Sequence, residues 1–197
     1  MLPPVAWQSV VAFAVAVVIL LGPWPGYGRV FRVLFAAYGN AVVASTGAGG
    51  SADPEFRSAP PAADSSDSGT PWTVWVGALR GPRAAAPALP LDTRILGYTP
   101  LALLLALVVA SPIPWRRRAA VTAIGASLLL ARIALAVWLA IGQAFDAGRG
   151  GTGSAAEVVW FVLIDLPAMT YVAPLAAWAV GLALTDRARR RVSSNRR

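Results

Sequence analysis

The sequence predicts an all-α membrane protein with four transmembrane helices, both termini in the cytoplasm, and a small extracytoplasmic insertion between helices one and two. Three observations predict it. Of 197 residues, 57% are hydrophobic and 13% charged, whereas a soluble domain carries about 25% charged residues. Four long apolar stretches stand apart from the rest, and a helix needs about 20 residues to cross the hydrocarbon core. All 17 basic residues are arginine, and nine of them lie at the turn after helix two and at the C-terminal end.

Helix one is placed at 1–22 and is apolar from Val5 to Leu21 apart from Gln8 and Ser9. Met1–Pro4 carries no basic residue and no small-residue cleavage site follows promptly, so it reads as an uncleaved anchor. Pro23-Trp24-Pro25-Gly26 then stops the helix and opens the insertion, residues 23–95. Within it, Tyr27–Tyr38 sets Arg29 and Arg32 three apart among Val30, Phe31, Val33, Leu34 and Phe35. This is either an interfacial amphipathic helix or a continuation of helix one.

Residues 46–70, rich in Gly, Ala, Ser, Pro and Asp, lack the apolar content that offsets ordering entropy and read as flexible. Trp72–Val76 alternates as a strand does, Leu91–Leu96 is a candidate second strand, and the Pro-rich run Arg80–Pro90 joins them into a short β-hairpin. Two strands alone are marginally stable, so the hairpin is expected to rest on the membrane domain or on a partner.

Helix two is placed at 96–115, around Leu101–Ala110, and ends at Ser111-Pro112-Ile113-Pro114-Trp115. Arg116, Arg117 and Arg118 form a tight loop to helix three, at 119–145. Gly125 and Ser127 within that helix suit close packing. The glycine-rich run Gly148–Gly153 follows no strand and reads as a hairpin into helix four, placed at 158–184. Pro167 and Pro174 each remove a backbone hydrogen bond there and kink the helix. The result is an ordinary kinked span or a broken helix lining a cavity. A basic tail occupies 185–197.

The arginines orient the whole. Arg116, Arg117, Arg118 and the tail arginines Arg187, Arg189, Arg190 and Arg191 belong in the cytoplasm, and they are also placed to meet anionic lipid. The opposite side, 23–95 plus 146–157, holds seven Arg against seven Asp and Glu, with no positive excess. No aromatic or groove-reading pattern accompanies the basic clusters, so nucleic acid is not an expected partner. The expected setting is the bacterial inner membrane, with the bilayer and another integral membrane protein as partners.

There is no Cys and no His. That removes disulfides, thiolate nucleophiles, imidazole bases and the usual zinc sites, and no cofactor is expected. Two ionisable residues fall inside predicted spans, where each is costly unless paired or wetted. Arg132 lies about 11 residues, roughly 16 Å, from the outer end of helix three. Asp165 lies about 8 residues, roughly 12 Å, from the outer end of helix four. Antiparallel neighbours bring these depths together and predict an Arg132–Asp165 intramembrane ion pair. It serves either as a lock between helices or as a polar site open to the periplasm.

One run carries a family likeness. Leu91-Asp92-Thr93-Arg94-Ile95-Leu96-Gly97-Tyr98-Thr99-Pro100, with the apolar run after it and Ser111-Pro112-Ile113-Pro114-Trp115-Arg116-Arg117-Arg118, resembles small integral membrane proteins associated with exosortases. The likeness covers roughly 92–135. It implies an accessory protein and not the exosortase itself, which needs a Cys nucleophile with His and Arg. It also makes Asp92, Arg94, Tyr98 and Pro100 possible partner contacts. Their plainer reading is a local salt bridge, an interfacial tyrosine and a helix-starting proline. The expected function is a non-catalytic accessory or scaffold subunit of a membrane complex. The alternative is a small transporter or lipid-handling protein that uses the Arg132/Asp165 region.

Overall fold

The computed structural model describes residues 4–22, 26–45, 54–57, 73–78, 89–146 and 167–194. Helices dominate. Their order is α1 (Pro4–Leu21), α2 (Tyr27–Ser45), strands β1 (Pro54–Arg57), β2 (Thr73–Ala78) and β3 (Leu89–Asp92), a π-helical turn (Arg94–Tyr98) running into α3 (Thr99–Ala110), then α4 (Trp115–Asp146) and α5 (Pro167–Ser194). Two stretches are long and apolar enough to cross a membrane: Trp115–Leu139, of 25 residues, and Ala168–Arg187, of 20. At 1.5 Å per residue they reach roughly 37 and 30 Å, against a hydrocarbon core of roughly 30 Å. Most of each is left uncovered by the rest of the chain, unlike the core helix of a soluble protein. Trp7–Leu21 and Arg94–Ala110 are shorter apolar helices.

The chain divides into two compact units. The first comprises Met1–Pro23, Thr99–Ala131 and Pro167–Arg197. In it α3 packs along both α1 and α5, and Leu104, Val108, Val121, Leu129 and Ala177 form the core. Small residues set the spacing. A Cβ on Gly125 would lie 2.9 Å from both methyl carbons of Leu104, and one on Gly181 would lie 3.2 Å from the carbonyl oxygen of Val121. Where lipid replaces water, apolar burial no longer drives helices together and such close backbone approach becomes the source of attraction. The faces turned away from this core are aliphatic, as at Val11, Val15 and Val18 on α1 and Val172, Leu175 and Val180 on α5.

The second unit comprises Trp24–Tyr98 and Arg132–Leu166. Its sheet has the order β1-β2-β3, antiparallel throughout. Val74 stands opposite Leu91. Both are buried with Phe35 and Ala36 of α2, Leu96, and Ile133, Ala136 and Val137 of α4. Their neighbours in register, Thr73 and Asp92, are half-buried and exposed, the period-two alternation of a sheet with one covered face. α2 lies against β1 and β2.

Several boundaries differ from the sequence expectation. β1 interrupts the stretch 46–70 that reads as flexible: pairing with β2 (Phe56 opposite Val76) supplies the order that local composition does not, and the hairpin becomes three strands. The second strand ends at Asp92, because the chain turns helical at Thr93. Helix two therefore starts before 96, and it ends at Ala110 ahead of Pro112. The arginine triplet is not a loop but the first turn of α4, whose opening bonds run from the Arg117 and Arg118 N–H groups to the Pro114 carbonyl at 2.9 and 3.0 Å. α5 continues through much of the basic tail, to Ser194. α2 is a helix of its own rather than an extension of α1, since Gly26 takes φ 93°, a left-handed conformation that favours glycine. Asp165, the rest of 158–166, the Gly148–Gly153 hairpin and most of 46–70 lie outside the described residues.

Candidate functional site

The site begins with a proline. In an α-helix the carbonyl of Leu96 would accept from the N–H of residue 100. Residue 100 is proline and has none. The preceding turn is π-helical, a local widening that recurs at functional positions. The freed Leu96 carbonyl is approached by the Nη1 of Arg132 on α4, 3.4 Å away, a long and weak hydrogen bond. Arg132 is half-buried and follows the apolar positions of α4, next to Ile133. Gly97 makes the approach possible. A Cβ there would lie 3.0 Å from the Phe31 ring and 3.3 Å from the Ile133 side chain. Phe31 also meets Tyr98 edge-on at 5.4 Å, and Tyr98 meets Tyr27 at 6.5 Å. The start of α2, the π turn and the middle of α4 thus converge on one spot.

The four positions singled out by the family likeness take different roles. The Asp92 carboxylate accepts from the Arg94 N–H at 2.8 Å; it caps the start of the helix as an Asp before a first turn does. Arg94 is exposed and Tyr98 half-buried in its aromatic cluster. Pro100 is fully buried and stands in the first turn of α3, directly after the π turn. Thr93, completely buried beside the cap, gave no signal in the sequence.

A second polar cluster sits in the first unit. Arg118 donates through Nε to the Ile113 carbonyl at 3.0 Å and through Nη2 to the Ser111 carbonyl at 2.9 Å. Arg117 donates through Nε to the Thr185 hydroxyl at 3.1 Å and through Nη2 to the Leu182 carbonyl at 3.3 Å. Its Nη2 also pairs with Asp186 at 2.7 Å. The indole N–H of Trp178 donates to the Ser111 hydroxyl at 3.0 Å, which in turn donates to the Leu107 carbonyl at 2.7 Å. The end of α3, the middle of α5 and the start of α4 are fastened by this network. Positive charge at a helix N-terminus is ordinarily unfavourable; here carbonyl oxygens and one carboxylate offset it. Arg116 alone of the triplet faces outward, with its guanidinium carbon 5.8 Å from the centre of the Trp115 ring. Ser111, Trp178, Thr185 and Asp186 were not legible as partners, because the triplet is fully explained by topology.

Of the remaining sequence-predicted positions, Arg187 is exposed, and Arg189, Arg190 and Arg191 continue α5. Pro167 is the first residue of α5, and Pro174 lies within it, fully buried below the buried Thr170. Asp165, the expected partner of Arg132, lies outside the described residues. No family model, no curated protein and no solved structure matches the chain.

Proposed function

We propose that the chain is a non-catalytic accessory or scaffold subunit of a bacterial inner-membrane complex, related in role to the exosortase-linked proteins it resembles. In this reading it crosses the membrane four times, with both ends in the cytoplasm. Residues 23–95 face the extracytoplasmic side and carry the partner contact, and Arg132 pairs with Asp165. The observation that carries the reading is the aliphatic surface of the first unit's helices, from Val10, Val11, Val15 and Val18 to Val172, Leu175 and Val180. Such a surface is a liability in water and ordinary in lipid.

The sheet supports the scaffold role. Among the described residues β1 is paired on one side only, and a half-paired strand is a template for a strand from another chain. The test is capture of the tagged full-length protein from gently solubilised membranes. A stoichiometric membrane partner should be lost when residues 71–98 are altered and kept in Arg132→Gln and Asp165→Asn. The reverse pattern, with partner binding indifferent to 71–98 and function lost in the two charge-neutral variants, would move the reading to transport or lipid handling.

A further inference from the structure

The start of α2 carries two cations, Arg29 and Arg32, one turn apart. Arg32 stands in the middle of the packed face of α2, between the buried Gly28, Phe35, Ala36 and Gly39. Its Nε is buried and has no hydrogen-bond partner among the described residues. Leaving such a donor unsatisfied is costly, and more so for a charged group. One turn earlier, Arg29 is exposed; residues three apart on a helix are surface neighbours. The one described carboxylate near the start of the following helix, Asp92, is engaged on a backbone N–H. Beside the arginines α2 exposes Tyr27, Val30, Val33 and Leu34. Two arginines one turn apart, next to an aliphatic shoulder, match an anion that carries hydrocarbon, and the same chain holds helices able to cross a bilayer.

We propose that Arg29 and Arg32 bind the phosphate of an anionic phospholipid, with its acyl chains lying over Val30, Val33 and Leu34. The guanidinium fork matches phosphate oxygens in pairs. Arg32, half-buried on the same helix, supplies the outer N–H groups of its guanidinium and Arg29 closes the site from outside. This site is separate from the Arg132/Asp165 region and does not depend on the scaffold role.

The test is titration of the full-length protein, purified in a neutral detergent, with phosphatidylglycerol, read by native mass spectrometry. The wild type should retain one lipid at concentrations where phosphatidylcholine is not retained. Arg32→Gln and the exposed Arg29→Gln should each weaken retention by about fivefold to tenfold. Arg80→Gln, which removes the same charge from the same segment, should leave it unchanged. Because Arg29 is exposed, its variant keeps the test decisive if Arg32→Gln fails to fold. Three results would overturn the proposal: equal retention by Arg29→Gln and wild type, an equal loss in Arg80→Gln, or displacement of the lipid by millimolar inorganic phosphate.

Discussion

Arg116, Arg117 and Arg118 are adjacent and chemically identical, yet the fold gives each a different task. Arg117 holds a hydroxyl, a carbonyl and a carboxylate of α5, Arg118 holds two carbonyls of the α3–α4 connection, and Arg116 remains outside. Arg117→Ala should therefore destabilise the detergent-purified protein by about 1–2 kcal/mol, a figure that discounts the half-exposed Asp186 for solvent screening. Arg116→Ala should stay within about 0.5 kcal/mol of wild type. Thermal unfolding of the two variants side by side is the check, and equal melting temperatures would show that the network contributes nothing. Arg117→Lys should recover only part of the loss, since an ammonium keeps the ion pair but not the planar fork.

The elements show which parts of the sequence speak locally. Apolar runs place α1, α3, α4 and α5, because each of these helices is apolar over much of its length. The alternation of Trp72–Val76 places β2 for the same kind of reason. β1 was not legible: four residues in a Gly, Ser and Pro background become a strand only through their partner. The π turn was not legible either. It follows from Pro100 meeting a helix that begins earlier, at an Asp92 cap, than the apolar run suggests. In the candidate site, Arg132 stood out because a charge inside an apolar stretch is conspicuous. Gly97 and Leu96 did not, since what matters there is a missing side chain and a carbonyl. The widened turn should be the weak part of its helix. Hydrogen exchange on the detergent-solubilised protein should show the amides of Arg94–Tyr98 exchanging before those of Leu103–Ala110. Uniform protection across 94–110 would mean that the loss of the residue-100 N–H leaves no mark on local stability.

At the scale of the whole molecule, the proposed role depends on the side of the membrane that each segment occupies. The balance of seven arginines against seven acids in 23–95 and 146–157, with the arginine excess in the α4 turn and the C-terminal end, sets a single orientation under the positive-inside rule. Two of the three arginines in that turn also make structural contacts in the folded protein, so under the proposed orientation the same residues would both direct insertion and hold the helices. The chain has no cysteine, and introduced thiols therefore report without background. The most direct measurement is labelling of single-cysteine variants in spheroplasts with a membrane-impermeant maleimide, at a cysteine placed before Met1 and at Ala44→Cys, Ala119→Cys, Gly150→Cys and Ser193→Cys. Ala44→Cys and Gly150→Cys should label in intact spheroplasts, and the other three only after lysis. Labelling of Ala44→Cys and Ala119→Cys from the same side would contradict the proposed orientation.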